Sequence, residues 1–174
     1  MPHPHSGQPP HGQPGRPGHP GGPPPASADG VPALRLVAWE TTRRCNLSCL
    51  HCRAGAVDQD YPGELTTAQG EAFLRDLTSL GQPVVIMTGG EPLLRADIFH
   101  LAQYGTDQGL RMVMAVNGTL LTPEIARKLK DCGIQRLSIS LDGPDEKSHD
   151  AFRGQPGAYA GALAGMAAAR AAGL

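Results

Sequence analysis

The chain has 174 residues, a formal net charge of -1 at pH 7, 40% hydrophobic residues and four cysteines. So near-neutral a composition carries neither the basic field that nucleic acid attracts nor an acidic tail, and without a run of about eighteen apolar residues it offers no membrane span. A cationic start, a continuous apolar segment and a small-residue cleavage site are all missing from the N-terminus, which points to a cytoplasmic protein whose cysteines are ligands or core thiols rather than disulfides.

Residues 1–30, "MPHPHSGQPPHGQPGRPGHPGGPPPASADG", hold ten Pro and seven Gly and no large apolar side chain. Such a segment cannot bury enough surface to offset its ordering, so it is expected to be a disordered tail. Its His3, His5, His11 and His19 leave weak metal binding as an alternative. From Val31 to Leu174 the composition turns globular, with length enough for one domain burying roughly two thirds of its unfolded surface.

Strand and helix signals then alternate. "ALRLVAWE" (33–40) reads as a buried strand. "LTTAQGEAFLRDLTSLG" reads as a helix with a Thr66/Gln69 capping box, Phe73, Leu77 and Leu80 on one face, and Gly81 as its stop. "PVVIMT" (83–88) is a second strand running into "GGEP", followed by a helix over about 96–108. "RMVMAV" is a third strand ending at "NGTL". Thr122 and Pro123 open a third helix with Ile125, Leu129 and Cys132 at helical spacing and Gly133 as its stop. "IQRLSISLDG" is the fourth strand and "AYAGALAGMAAARAAG" the fourth helix. This alternation implies parallel strands with right-handed crossovers. The cysteine segment, Gly89 to Pro92, Asn117 to Gly118 and Ser140 to Gly143 then all fall at the C-terminal ends of strands, the edge where barrels and open parallel sheets bind ligands.

The segment "TTRRCNLSCLHCRAG" contains Cys45, Cys49 and Cys52 with no fourth cysteine near them. A structural zinc site takes four tetrahedral ligands. The remaining cysteine, Cys132, shares an apolar helix face with Ile125 and Leu129 and reads as a buried thiol, and His51 as a fourth ligand would strain a tight loop beside Cys52. Three thiolates with one open position suit a four-iron, four-sulfur (4Fe-4S) cluster, with zinc as the alternative.

Cys45-x3-Cys49-x2-Cys52, with the aromatic ring of His51 before the last cysteine and "GGEP" some forty residues on, resembles the signature of the radical S-adenosylmethionine (radical SAM) enzymes. The resemblance extends from Leu34 to Leu174. It implies an α/β fold, a partial (β/α)6 radical SAM barrel, here truncated to about four β/α units, with the cluster in the loop after the first strand. It further implies that Cys45, Cys49 and Cys52 bind three irons while SAM chelates the fourth. Gly89 and Gly90 would let the backbone approach the methionine end of SAM, Glu91 would accept from its amino group, and His51 and Pro92 would be cofactor-binding residues with them. Asn117, Ser140 and Asp142 stand where the family places polar contacts to the ribose and carboxylate. The alternatives are an ordinary Gly-Gly turn for the first group and strand-end capping for the second. Val116 stands where the family often has Thr, which removes one hydrogen bond.

The chemistry implied is reductive cleavage of SAM to a 5′-deoxyadenosyl radical that abstracts hydrogen from a substrate, so no acid–base catalytic residue is assigned. Electrons would come from a flavodoxin or ferredoxin. "WETTRRCNLSCLHCRA", "TGGEPLLRADIF" and "VNGTLLTPEIARKLKDCGIQRLSISLDGPDEKSHDAFRG" most resemble the branch containing SAM-dependent haem synthases, haem d1 enzymes and maturases of ribosomal peptides. The expected reaction is oxidative decarboxylation of porphyrin propionates, with peptide modification, or a cluster-binding fragment without turnover, as alternatives. At about thirty residues per β/α unit, the globular part holds four of the six units that the family's barrel contains.

Overall fold

The computed structural model describes residues 33–174, so the tail expected over residues 1–30 lies outside them. Four strands form one parallel sheet in the order β1-β2-β3-β4, namely β1 (Leu36–Thr42), β2 (Val84–Gly89), β3 (Arg111–Val116) and β4 (Leu137–Ile139). Between them run α1 (Thr67–Leu77), α2 (Ile98–Asp107) and α3 (Pro123–Asp131), and after β4 come α4 (Glu146–Arg153) and α5 (Ala158–Ala171). Sequential strands are therefore parallel neighbours, as expected where short helical connections join them.

Local chemistry accounts for the helix ends. The Thr66 side chain accepts from Gln69 N–H while the Gln69 side chain accepts from Thr66 N–H, which satisfies two of the donors that a helix start leaves open. Thr122 caps α3 by accepting from Ile125 N–H, with Pro123 in its first turn. On α1 the buried positions are Gly70, Leu74 and Leu77, not the expected face through Leu80. A 3-10 turn over Thr78–Leu80 rotates Leu80 outward, where it is 55% exposed. α2 starts two residues later than expected because Pro92–Leu94 form a separate 3-10 turn.

Alternation along the strands separates two faces. Trp39, Val85, Met87, Met112, Met114 and Val116 lie in one apolar core with Leu74 of α1, Ile98 and Leu101 of α2, Leu129 of α3 and Ala168 of α5. Trp39 meets Phe73 edge-on, with ring centroids 5.1 Å apart. Cys132 joins this core, its Sγ donating to Leu129 O, and burial pushes its thiol above the usual range.

Two expectations about the end of the chain need correction. The fourth strand is shorter than expected, Leu137–Ile139, in register with Met114 to Val116 of β3. Ser140 N–H still reaches Val116 O at 3.3 Å, after which the segment leaves the sheet. "EKSHDAFR" is also a helix, α4, capped by Asp145 and ended by Gly154 with φ of 68°. Its inward side chains are His149 and Arg153, so no apolar stripe marks it in the sequence.

Candidate functional site

A cavity of about 600 Å³ opens at the C-terminal ends of the strands. Cys45, Cys49, His51, Cys52, Gly89, Gly90, Asn117 and Ser140 all line it, as do Glu40, Thr88 and Arg153. Three expected residues do not belong to its wall, namely Glu91, Pro92 and Asp142.

The cysteine loop is seated on the end of β2. Gly90 N–H donates to Thr42 O at 2.7 Å and Glu91 N–H to Arg44 O at 2.8 Å. A Cβ on Gly89 would collide with Thr42 O, and one on Gly90 with the carbonyls of Arg43 and Arg44. Gly89 also has a φ of 134°, which L side chains avoid. The first requirement for the two glycines is thus close docking of the loop that carries the cysteines. Beyond them, Arg43 N–H and Thr42 Oγ1 both donate to Glu64 Oε1, which fixes the start of the loop from its other side.

Glu91 braces this floor from below. It is fully buried, its Oε2 accepts from Asn117 N–H at 2.7 Å, and its Oε1 accepts from Leu93 N–H at 3.1 Å. Burial pushes its pKa up to about 7, although both backbone hydrogen bonds oppose that rise. With no accessible surface and both oxygens engaged by backbone N–H groups, Glu91 ties β2 to β3 here.

Asn117 lines the cavity, but its amide is engaged. Its Nδ2 donates to Asn46 Oδ1 at 2.9 Å, its Oδ1 accepts from Thr119 N–H and Oγ1–H, and Asn46 Nδ2 donates to Thr119 Oγ1. This ring of three side chains links the cysteine loop to the end of β3. Asp142 forms an ion pair with Arg153 instead of facing the cavity, and its N–H donates to Nδ1 of the buried His149 at 3.1 Å.

The sequence reading missed Asn46, His149, Phe152 and Arg153. Phe152 stacks on His51 with centroids 4.5 Å apart and 14° between planes, and its carbonyl accepts from Leu50 N–H at 2.9 Å. Ser48 Oγ donates to Gly154 O. Arg153 Nη1 lies 3.5 Å from Cys49 Sγ, and its Nε is buried without a partner. The available signal was Asp145 as an N-cap, His149 and Arg153 four residues apart, and Gly154 as a stop.

Among the described residues no three His, Cys, Asp or Glu side chains already meet at metal-binding distance. The three loop thiols instead share one cavity wall, while Cys132 is on the core side of the sheet. That donor set has the soft sulfur character of an iron–sulfur cluster, and no fourth cysteine of the described residues joins it as one would in an all-thiolate zinc site. Burial raises the pKa of the Cys45 thiol.

The family model described as "Radical SAM superfamily" matches residues 39–174. The AdoMet-dependent heme synthase of Methanosarcina barkeri is 54% identical over 134 residues, covering 77% of this chain and 38% of that protein. That of Nitratidesulfovibrio vulgaris is 51% identical over 146 residues, covering 84% and 40%. The chain therefore spans about two fifths of the length of these relatives. Native anSMEcpe with bound AdoMet shares the fold with a TM-score of 0.65 at 20% identity, over 81% of this chain and 42% of that one. With its parallel sheet, its three-cysteine loop and a match over residues 39–174, the chain belongs to the radical SAM superfamily, whose cofactors are a 4Fe-4S cluster and SAM.

Proposed function

We propose that this chain is the cofactor-binding part of an enzyme that oxidatively decarboxylates porphyrin propionates. The observation that carries the reading is the placement of three cysteine thiols, Gly89 and Gly90 around a single cavity at the strand ends. Identity above 50% to two heme synthases supports the substrate class. When bound, the cluster and SAM supply one-electron reduction and hydrogen abstraction.

In this reading Cys45, Cys49 and Cys52 hold three irons as thiolates. Gly89 and Gly90 let the loop dock against β2 and would leave the cavity wall free of side chains where SAM would bind. His51, stiffened by Phe152, presents a flat ring at the wall, and Ser140 presents a hydroxyl. Glu91 and the Asn46, Asn117 and Thr119 ring keep the floor rigid, so the site is positioned before anything binds. An electron donor of flavodoxin or ferredoxin type would deliver the reducing equivalent. No helix of the described residues is long and apolar enough to cross a membrane.

The test is anaerobic reconstitution followed by incubation with SAM, dithionite and an iron-porphyrin propionate. The expected result is 5′-deoxyadenosine formed only in the cluster-loaded chain, with decarboxylated porphyrin accompanying it when the remaining length of the relatives is supplied. Release of 5′-deoxyadenosine with a peptide but never with a porphyrin would overturn the substrate assignment.

A further inference from the structure

We propose that Arg153 is a positioning residue for the cluster, a cationic donor to the Cys49 sulfur that sets how readily the cluster is reduced, with Asp142 moderating its charge. The inference rests on Cys49 being a cluster ligand and goes beyond that assignment.

Arg153 reaches the cysteine loop from α4, an element with no other evident reason to be polar on its inner side. Its side chain is only 9% exposed. One amino group, Nη1, points to Cys49 Sγ at 3.5 Å, and the other, Nη2, pairs with Asp142. Nε is buried with no partner, a cost that the fold accepts to bring this cation to the cavity wall.

The surroundings hold this arrangement in one geometry. Asp142 is fixed through its N–H to His149 Nδ1, and His149 is 1% exposed against Tyr159 with ring centroids 5.7 Å apart. α4 is tied to the loop on either side of Cys49 by Ser48 Oγ to Gly154 O and Leu50 N–H to Phe152 O. Sulfur, guanidinium and carboxylate therefore form a row whose two ends are anchored separately.

Reduction adds negative charge that is shared by the cluster sulfurs. Hydrogen bonds to those sulfurs and nearby positive charge stabilise the reduced state and raise the potential. Low solvent access strengthens the effect. Asp142 opposes it by neutralising part of the cation. Removing Arg153 and removing the Asp142 charge must then shift the potential in opposite directions, which mere loosening of the loop would not do.

The experiment is a redox titration, followed by electron paramagnetic resonance, of the reconstituted chain without SAM. Wild type is compared with Arg153→Met, Arg153→Lys and Asp142→Asn. Arg153→Met is expected to lower the reduction equilibrium constant at least tenfold, about 59 mV for one electron. Arg153→Lys should fall between it and wild type, and Asp142→Asn above wild type. Potentials that coincide, or that move in the same direction in Arg153→Met and Asp142→Asn, overturn the proposal. If Arg153→Met fails to hold iron, Asp142→Asn against wild type decides it, and an unmoved potential there is a refutation. A wild-type chain that takes up no iron would overturn the cluster assignment as well, whereas a full cluster with unmoved potentials overturns this inference alone.

Discussion

Under its helices the sheet presents Val85, Met87, Met112 and Met114, each at most 1% exposed, while on the opposite face β1, β2 and β3 present Glu40, Thr88 and Ala115 to the cavity. The first face is held by apolar contact, which is non-directional and proportional to buried area. The second is held by named hydrogen bonds, accepted by Glu64 and Glu91 and donated by the amides of Asn46 and Asn117, that fix a loop in one place. The same strands thus carry stability on one side and geometry on the other, and substitutions on the two sides should be separable by what they disturb.

The largest expected effect is on metal content. Cys45→Ala, Cys49→Ala and Cys52→Ala should each abolish the brown 4Fe-4S chromophore after anaerobic reconstitution, and Cys132→Ala should keep it. Iron and sulfide analysis together with the visible spectrum checks this. Stoichiometric zinc and no iron in wild type would break the comparison at its root.

Leu101→Ala probes the covered face. Leu101 has no exposed surface and sits in the core with Trp39 and Met112, so truncation should cost about 2–5 kcal/mol in urea unfolding of the apo chain. The fraction that remains folded should still take up iron at wild-type stoichiometry. Loss of iron binding in folded Leu101→Ala would show that the two faces are not independent.

What could be read from the sequence divides along the same line. The order of strands, the caps at Thr66 and Thr122, and the convergence of the cysteine, Gly-Gly and Ser140 segments on one edge follow from local patterns and strand order. The boundary errors were local too, since nothing in the pattern distinguishes Leu74 from Leu80 until the 3-10 turn at Thr78 rotates the chain. α4 escaped notice because its buried side chains are His149 and Arg153, so apolar periodicity, the main helix signal, is missing there. Glu91 was legible as a functional position by resemblance, but its burial was not. That depends on Asn117 N–H, supplied by the next strand 26 residues away.

Glu91 gives an intermediate effect with a distinctive pH dependence. Its folded pKa of about 7 lies above the ordinary value of 4.5 because burial penalises the charge. Below about pH 4.5 both folded and unfolded chains are protonated and no penalty applies. Between 4.5 and 7 the unfolded chain ionises first, so stability falls as pH rises, and above 7 the full penalty persists. At ~1.4 kcal/mol per tenfold, the difference between pH 4.5 and pH 8 is on the order of 3 kcal/mol. Glu91→Gln should flatten this dependence and lower stability at the acidic end, since an amide can accept from only one of the two N–H groups. A pH profile unchanged by Glu91→Gln would show that this carboxyl is not the group responsible.

The smallest effects make the sharpest test, because two exposed hydroxyls of similar energetic weight stand one in each region. Thr66 caps α1 on the covered side, and Thr66→Ala should cost ~1 kcal/mol in chemical unfolding of the apo chain. Ser48 ties the cysteine loop to α4 through Gly154 O at 3.2 Å, an exposed neutral bond, so Ser48→Ala should cost no more than ~1 kcal/mol. Their consequences for the cluster should nevertheless differ. The Thr66 cap is joined to the loop only through the body of the fold, so chelator bleaching of the reconstituted cluster should proceed at the wild-type rate in Thr66→Ala. Ser48 stands next to Cys49, and loosening that turn lets the thiolate leave its iron more often, so bleaching should be measurably faster in Ser48→Ala even where its unfolding midpoint matches that of Thr66→Ala. Equal bleaching rates in the two variants would mean that the loop is held by the fold as a whole, and that the α4 contacts add nothing of their own.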